Sequence, residues 1–379
     1  MKLIHLSDLH IGKRVHEYSM LADQRYILGQ ITDIIKAEKP DCVVIAGDVY
    51  DKTVPSAEAV QLFDDFLFSL SKETANVFVI SGNHDSPERI SFGARLMASS
   101  GIHMSPVYNG SITPTVLNDE YGKINIWMLP FVKPQTVRPF FENEDIATYT
   151  DAVRIVIEQM QINPDERNIL ITHQFVTGAD RTESEEISVG GTDNVDVTVF
   201  DSFDYTALGH IHRAQNCKSQ KVRYCGTPLK YSFSEAEDKK SVTVVSLGEK
   251  GSLEIKEIPL TPIRDMKEIK GNYNEVMSAE FYRGTSYTDD YIHITLTDEE
   301  DIPDAVGRLR SVYKNLMKLD YDNTRTRNNN LIDISDYTDK KTPLQHFLDF
   351  YEIQNNKPMS DVQKEFVKNI ISDIWEGEV

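Results

Sequence analysis

The chain has 379 residues, is 40% hydrophobic and 26% charged, and carries a net charge of −20. That composition excludes a disordered or fibrous protein, the length calls for two or three folded units, and no apolar run could span a membrane as a helix. A chain this acidic, with no long basic run, either does not bind nucleic acid, takes basic surface from a partner, or relies on metal ions and local lysines.

Residues 3–6 form a short apolar run that ends at Asp8-Leu9-His10. It begins so close to Met1 that no removable signal peptide is expected. Tyr26, Ile27, Ile31, Ile34 and Ile35 then recur at helical spacing, and Pro40-Asp41 closes that helix. A second apolar run, 42–46, leads into Gly47-Asp48-Val49-Tyr50-Asp51. Pro55 with Val60, Phe63, Leu67 and Leu70 predicts a second helix, with the proline in its first turn. The run 77–80 leads into Gly82-Asn83-His84-Asp85, the run 169–171 into His173, and the run 205–208 into Gly209-His210-Ile211-His212. All five runs are too short for helices and read as buried strands. Further strands are predicted at 124–129, 222–225, 241–247 and 253–258, with connections short enough to suggest a two-sheet α/β core. Three cysteines (Cys42, Cys217, Cys225) at no paired spacing point to a reduced, cytoplasmic setting.

The texture changes near Pro262. Strands are expected at 277–282 and 291–296, a helix over 305–318, and a loop over 320–330. Thr342-Pro343-Leu344-Gln345 and Ser360-Asp361-Val362-Gln363 each match a helix-opening capping box. The second of these helices aligns Val362, Phe366, Val367, Ile370, Ile371 and Ile374, and the first carries Leu344, Phe347, Leu348 and Tyr351. Two short amphipathic helices cannot bury both stripes between themselves. They either pack back on the core or dock another protein, and docking is the favoured reading.

Each motif alone is weak. An Asp-x-His pair occurs by chance, a glycine followed by Asn-His-Asp is often a turn, and a lone His173 reads first as a core histidine. Five such motifs in order, each at a strand end, point instead to one metal site at a sheet edge, where α/β proteins place their active sites. Asp8, Asp48 and Asn83 offer oxygens, and His10, His173, His210 and His212 offer imidazoles. That is too many donors for one ion. It suits two divalent ions roughly 3.5–4 Å apart that activate water and clamp a phosphate. Oxygen and nitrogen donors without thiolate favour manganese, iron or zinc. Gly47, Gly82 and Gly209 would let the backbone turn where a Cβ would clash. His5, His16, His103, His293 and His346 match no motif.

In this order the motifs resemble the calcineurin-like metallophosphoesterases. The resemblance implies that Asp8, His10, Asp48 and His212 hold one ion and that Asp48, Asn83, His173 and His210 hold the other. His84 would then face the phosphate as acid or charge stabiliser, with Asp51 as the acid that orients it. Archaeal relatives have histidine where Asp51 stands.

Within that superfamily, three further stretches resemble SbcD, the nuclease-subunit family of the bacterial SbcCD complex. They run from Ile171-Thr172-His173-Gln174-Phe175 through Glu186, over Leu208 to Arg213, and from Tyr224-Cys225-Gly226-Thr227-Pro228 to Tyr231-Ser232-Phe233-Ser234-Glu235. The likeness implies a four-layer α-β-β-α core over 1–260, a small α/β capping domain over 261–338 that contacts DNA, and helices over 339–379 that dock an SMC-like ATPase. It also implies a homodimer, a nucleoid-associated location, and a manganese-dependent nuclease, exonucleolytic on double strands and endonucleolytic at hairpins or single strands. Lys52, Arg89, Lys133, Arg138 and Lys230 lie near motifs as candidate phosphate contacts.

A phosphatase or cyclic-nucleotide phosphodiesterase of the same superfamily is the competing enzyme. Its protein-phosphatase branch would place Arg-Gly after Asp51 and end the third motif in Glu, whereas Lys52-Thr53 and Asp85 stand here. A purely architectural subunit would not need an intact ligand set.

Overall fold

Alternating β-branched and aliphatic side chains build the strands, and their burial on both faces shows why the sequence runs are continuously apolar. The structure is a computed structural model that describes residues 1–185, 193–329, 343–355 and 358–376. Two compact units divide it, Met1–Met266 and Lys267–Val379.

The first unit holds two six-stranded sheets. Strands β1 (Lys2–Leu6), β2 (Cys42–Ala46), β3 (Asn76–Ile80) and β4 (Ile102–Met104) run parallel in that order. In the second sheet, β5 (Thr115–Asp119), β6 (Gly122–Leu129), β7 (Arg167–His173), β8 (Tyr205–Gly209), β9 (Gln215–Cys217) and β10 (Ser219–Tyr224) take the order β9-β10-β8-β7-β6-β5. Its four central strands, β6, β7, β8 and β10, are parallel. Strands β11 (Ser241–Leu247) and β12 (Leu253–Pro259) return to the first sheet and extend it antiparallel beside β1.

Leu3, Val44, Ala46, Phe78 and Ile80 of one sheet meet Ile124, Ile126, Ile169, Ile171 and Ala207 of the other in a fully buried core. Helices α1 (Leu21–Glu38) and α2 (Ala57–Glu73) bury Ile27, Ile31 and Ile35, and Phe63, Phe66 and Leu70, as the outer layer of the first sheet. Helix α3 (Tyr149–Gln159) buries Val153 and Val156 in a cluster with Trp127, Leu170 and Leu208. Four layers result, α-β-β-α. Pro55 is not in the first turn of α2; Ser56 caps that helix, its hydroxyl accepting the Ala59 N–H, and the proline precedes the cap.

In the second unit β13 (Met266–Gly271), β14 (Tyr291–Leu296) and β15 (Leu316–Tyr321) form a three-stranded sheet over Ile292, Ile294, Leu309 and Tyr313. Three expectations fail here. Residues 277–282 are not a strand: Ser278 caps a helical turn, Ala279–Tyr282, by accepting the Phe281 N–H. The helix expected over 305–318 stops early, as α4 (Ala305–Arg310), and its apolar tail becomes β15. Val312, Tyr313 and Leu316 are buried or half-buried in the same cluster, so their spacing alone could not separate the two. Within the expected loop, Asn323 accepts the Thr326 N–H and starts a helix at Thr324–Asn329.

Helices α5 (Pro343–Asn355) and α6 (Asp361–Glu376) follow. At Ser360 the capping box forms, with Gln363 N–H donating to the serine hydroxyl and Ser360 N–H to the Gln363 side chain. Glu186, Thr342 and the expected boundary at 338/339 lie outside the described residues. No described helix is long and apolar enough to cross a membrane.

Candidate metal centre

Five loops leave the C-terminal ends of parallel strands, but they leave two sheets, not one. β1, β2 and β3 supply Asp8, His10, Asp48, Asn83 and His84; β7 and β8 supply His173, His210 and His212. The first two loops are zipped by backbone bonds, Asp8 N–H to Gly47 O at 3.0 Å and His10 N–H to Asp48 O at 2.9 Å. Asp85 clamps the third to the second: its carboxylate accepts the N–H groups of Val49, Tyr50 and Gly82 at 2.9 to 3.1 Å.

Forcing these side chains together bends the backbone. Asp8, His10, Asp48 and His210 all have positive φ, at 52°, 44°, 49° and 103°. Such conformations cost about 1–3 kcal/mol each and persist where surrounding bonds over-determine them. Gly82 is needed for closeness: a Cβ there would lie 2.1 Å from Asp48 Oδ1 and 2.4 Å from Asp48 N. Gly47 combines φ +86° with a virtual Cβ 2.5 Å from His173 Nδ1.

The result is a buried cluster. Asp8, His10 and His212 bring donor atoms within 4.8 Å of one another, as do Asp8, Asp48 and His173, and His10, Asp48 and His84. Asn83 Oδ1 lies 3.0 Å from His173 Nε2 and 2.9 Å from His210 Nδ1, which brings in the remaining two candidates. Asp48 is central: Oδ2 stands 3.3 Å from His173 Nε2 and 3.7 Å from His10 Nε2, and Oδ1 accepts the His84 N–H at 2.9 Å. His173 Nδ1 faces the Ala46 carbonyl at 2.8 Å, so a proton held there leaves Nε2 free to ligate.

Burial pushes the Asp8 carboxyl up to about 6 and, with His173 beside it, the His210 imidazole down to about 3. At Asp48 burial is outweighed by the charge of His173, which holds the carboxyl well below its ordinary range; Asp48 in turn outweighs burial in raising His173. An anionic carboxylate set among imidazoles is an arrangement that a divalent cation would fit. Among the described residues, buried His10 Nδ1 and His210 Nε2 lack any hydrogen-bond partner. His10 Nε2 and His212 Nε2 face each other at 3.1 Å. The donor set, oxygen and nitrogen without sulfur, fits divalent first-row metals.

Two expectations need correction. The Asp51 carboxylate does not hold His84. It pairs with Lys13 Nζ at 2.8 Å and lies 3.9 Å from His10 Nδ1, whereas His84 Nδ1 faces the Asp51 main-chain carbonyl at 3.2 Å. Lys230 is not available to a phosphate: its ammonium pairs with Asp265 at 2.8 Å and donates to the Ala236 carbonyl. Lys52, Arg89, Lys133 and Arg138 are exposed, though Arg138 Nε is spent on the Ile146 carbonyl. Lys133 lies 5.6 Å from the Phe131 ring, which packs edge-on to His173.

Residues with no ligand role expected from the sequence hold the loops. Gln24 donates to the His10 carbonyl at 2.7 Å and accepts the Gly12 N–H, and Tyr231 Oη donates to Leu9 O at 2.6 Å. Ser184 Oγ contacts His212 Nδ1, and Glu185 accepts the His212 N–H. Ser184, Glu185 and Tyr231 fall in the stretches that carried the resemblance, which was the one available signal for them.

Fold and cluster together define a metal-dependent phosphoesterase. The chain belongs to the calcineurin-like phosphoesterase family, whose model matches residues 1–214. A second model, SbcD_C, described as the type 5 capsule protein repressor C-terminal domain, matches residues 262–355, and the pair supports an SbcD-type nuclease subunit. Among solved structures the chain is similar to a dimetal phosphatase from Danio rerio, at 13% identity over 69% of this chain and 98% of that one, with TM-score 0.41. It is also similar to TT1561 of Thermus thermophilus, at 10% identity over 68% and 98%, with TM-score 0.39.

Proposed function

We propose that this chain is the manganese-dependent DNA nuclease of an SbcCD-type complex, an exonuclease on double strands and an endonuclease at hairpins and single strands, acting in DNA end processing with an SMC-like ATPase. The observation that carries the proposal is a buried cluster of carboxylates and imidazoles able to hold a metal, on a chain that also matches the SbcD_C model.

Asp8, His10, Asp48 and His212 would hold one ion, and Asp48, Asn83, His173 and His210 the other, with the central Asp48 between them. Bound divalent ions supply Lewis acidity at the phosphate and lower the pKa of the attacking water. The protein supplies position and a proton. Asn83 Oδ1, within 3.0 Å of His173 Nε2 and 2.9 Å of His210 Nδ1, keeps both imidazoles on one side. With a proton on Nδ1 donated to the Asp51 carbonyl, His84 turns Nε2 toward the pocket. Protonated there, that nitrogen donates to the leaving oxygen or steadies its charge. Its side chain is 16% exposed, open enough to exchange protons with solvent.

Exposed apolar surface supports the partners. On α6, Val362 is 81% and Phe366 66% exposed, the stripe expected of a helix that docks an ATPase coiled coil. Close after the third motif, Phe92 and Leu96 are 83% and 81% exposed, which suits a homodimer through the phosphoesterase unit. We assign 339–379 to docking, 261–338 to DNA contact, and place the complex on the cytoplasmic nucleoid.

Purified protein with manganese, assayed on hairpin and linear DNA with and without the ATPase subunit, tests the proposal. Manganese-dependent cutting of both substrates is expected. Hydrolysis of small phosphodiesters with no cut DNA under any condition would assign the chain to the phosphodiesterase branch instead.

A further inference from the structure

The candidate ligands are not held alike. His173 Nδ1 faces a main-chain carbonyl, His210 Nδ1 faces Asn83, and His10 Nδ1 has no hydrogen-bond partner among the described residues. Among the described residues, His212 alone is backed by an ordered polar chain. Its Nδ1 lies 2.6 Å from Ser184 Oγ, which donates to Glu235 Oε1 at 2.7 Å. Glu235 is fully buried, and its other oxygen accepts from Lys240 Nζ at 2.5 Å. Lys240 also donates to the His212 carbonyl at 2.8 Å, while Glu185 accepts the His212 N–H at 2.7 Å. Ring and main chain of one histidine are therefore tied to a single buried ion pair.

We propose that Ser184 and Glu235 form a positioning relay that fixes the proton of His212 on Nδ1, so that Nε2 presents its lone pair to the subsite shared with Asp8 and His10. The inference rests on the metal-site reading above. Ser184 has one hydroxyl proton. Thr182 Oγ1 also lies 2.7 Å from Ser184 Oγ, but the Glu235 carboxylate is the stronger acceptor; with the serine proton on it, the serine oxygen accepts from Thr182 and from the imidazole, which settles the tautomer. The neighbouring His10 Nε2, 3.1 Å from His212 Nε2, then faces a lone pair and not a proton. No equivalent relay stands behind His173 or His210 among the described residues, so the two subsites should respond differently when the relay is cut.

The test is calorimetric titration of manganese into the full-length chain, compared with Ser184→Ala, Ser184→Thr and Glu235→Gln. The native protein should bind two ions. Loss of an outer partner of a metal-ligating histidine weakens the metal by about 10–100-fold. Ser184→Ala should weaken one binding event by that factor and leave the other unchanged, and Ser184→Thr, which keeps the hydroxyl, should restore both. Glu235→Gln should act in the same direction, but it leaves Lys240 without its charge partner, so the decision rests on the serine variants. Equal affinities in Ser184→Ala and the native protein overturn the relay, as does equal weakening of both events. A native chain that binds no ion overturns the metal-site reading with it.

Discussion

The loops around Asp8, Asp48 and His173 and the C-terminal helices handle awkward side chains in opposite ways. The loops bury charge: Asp8 and His173 have no exposed surface, and Asp48 is held among groups from other loops. The helices expose apolar surface, with Val362, Phe366 and Ile370 turned to solvent. Buried carboxylates and imidazoles are costly unless a cation or a proton compensates them, and an exposed apolar stripe is costly unless another surface covers it. On the function proposed above, the first region calls for a small cation and the second for a macromolecule. The comparison teaches that a protein shows its missing partner by the kind of group it leaves uncompensated.

The contrast breaks first at His84. His84→Asn should lower manganese-dependent DNA cleavage by about 10²–10⁴-fold, the usual contribution of a general acid, while manganese titration and thermal melting stay as in the native chain. Undiminished cleavage would take His84 out of the chemistry. Chelation is next. If the loops need a cation, manganese at a hundred times its dissociation constant should stabilise the first unit by about 2.7 kcal/mol, read as a rise in melting temperature that EDTA reverses. An unchanged melt would mean the cluster is satisfied without metal.

Gly82→Ala sharpens the same region, because the added Cβ would fall 2.1 Å from Asp48 Oδ1. Overpacking of this kind costs about 1–3 kcal/mol, and it should also weaken manganese binding; a variant that melts and binds like the native chain would show the loops to be looser than their contacts imply. The smallest effect is expected on the other side of the comparison. Val362→Asp and Phe366→Asp should each reduce capture of the ATPase subunit by about 1–2 kcal/mol, more than most interface positions cost but short of a hot spot, without changing the melt or the cleavage of DNA by the isolated chain. A shift in the melt with unchanged capture would mean that the stripe packs on the chain itself.

Much of the fold is legible in the amino-acid pattern. The run 42–46 matches a strand residue for residue because side chains buried on both faces leave a continuous apolar signature, and 241–247 matches because its valines and threonine favour a strand. Where burial comes from one mixed cluster the signature fails, as at Ala279–Tyr282 and Leu316–Tyr321, whose aromatic and aliphatic residues suit a short helix or a short strand equally. At the site, the donor atoms are readable and their orientation is not. Asp51 is the right residue to look at near His84, but the contact comes from its carbonyl, and nothing in a side-chain pattern can report that.

The sequence by itself determined the chemistry: which oxygens and nitrogens arrive at strand ends, in what order, and that no thiolate joins them. Such local patterns survive in one dimension because a strand, a turn and a ligand span only a few residues. The tertiary structure alone decided how those donors meet. His10 and His212, 202 residues apart, turn their Nε2 atoms to each other across two sheets, and Ser184 with Glu235 settles the ring behind one of them. Contacts between residues that distant depend on sheet order and strand register, which only the packed core fixes.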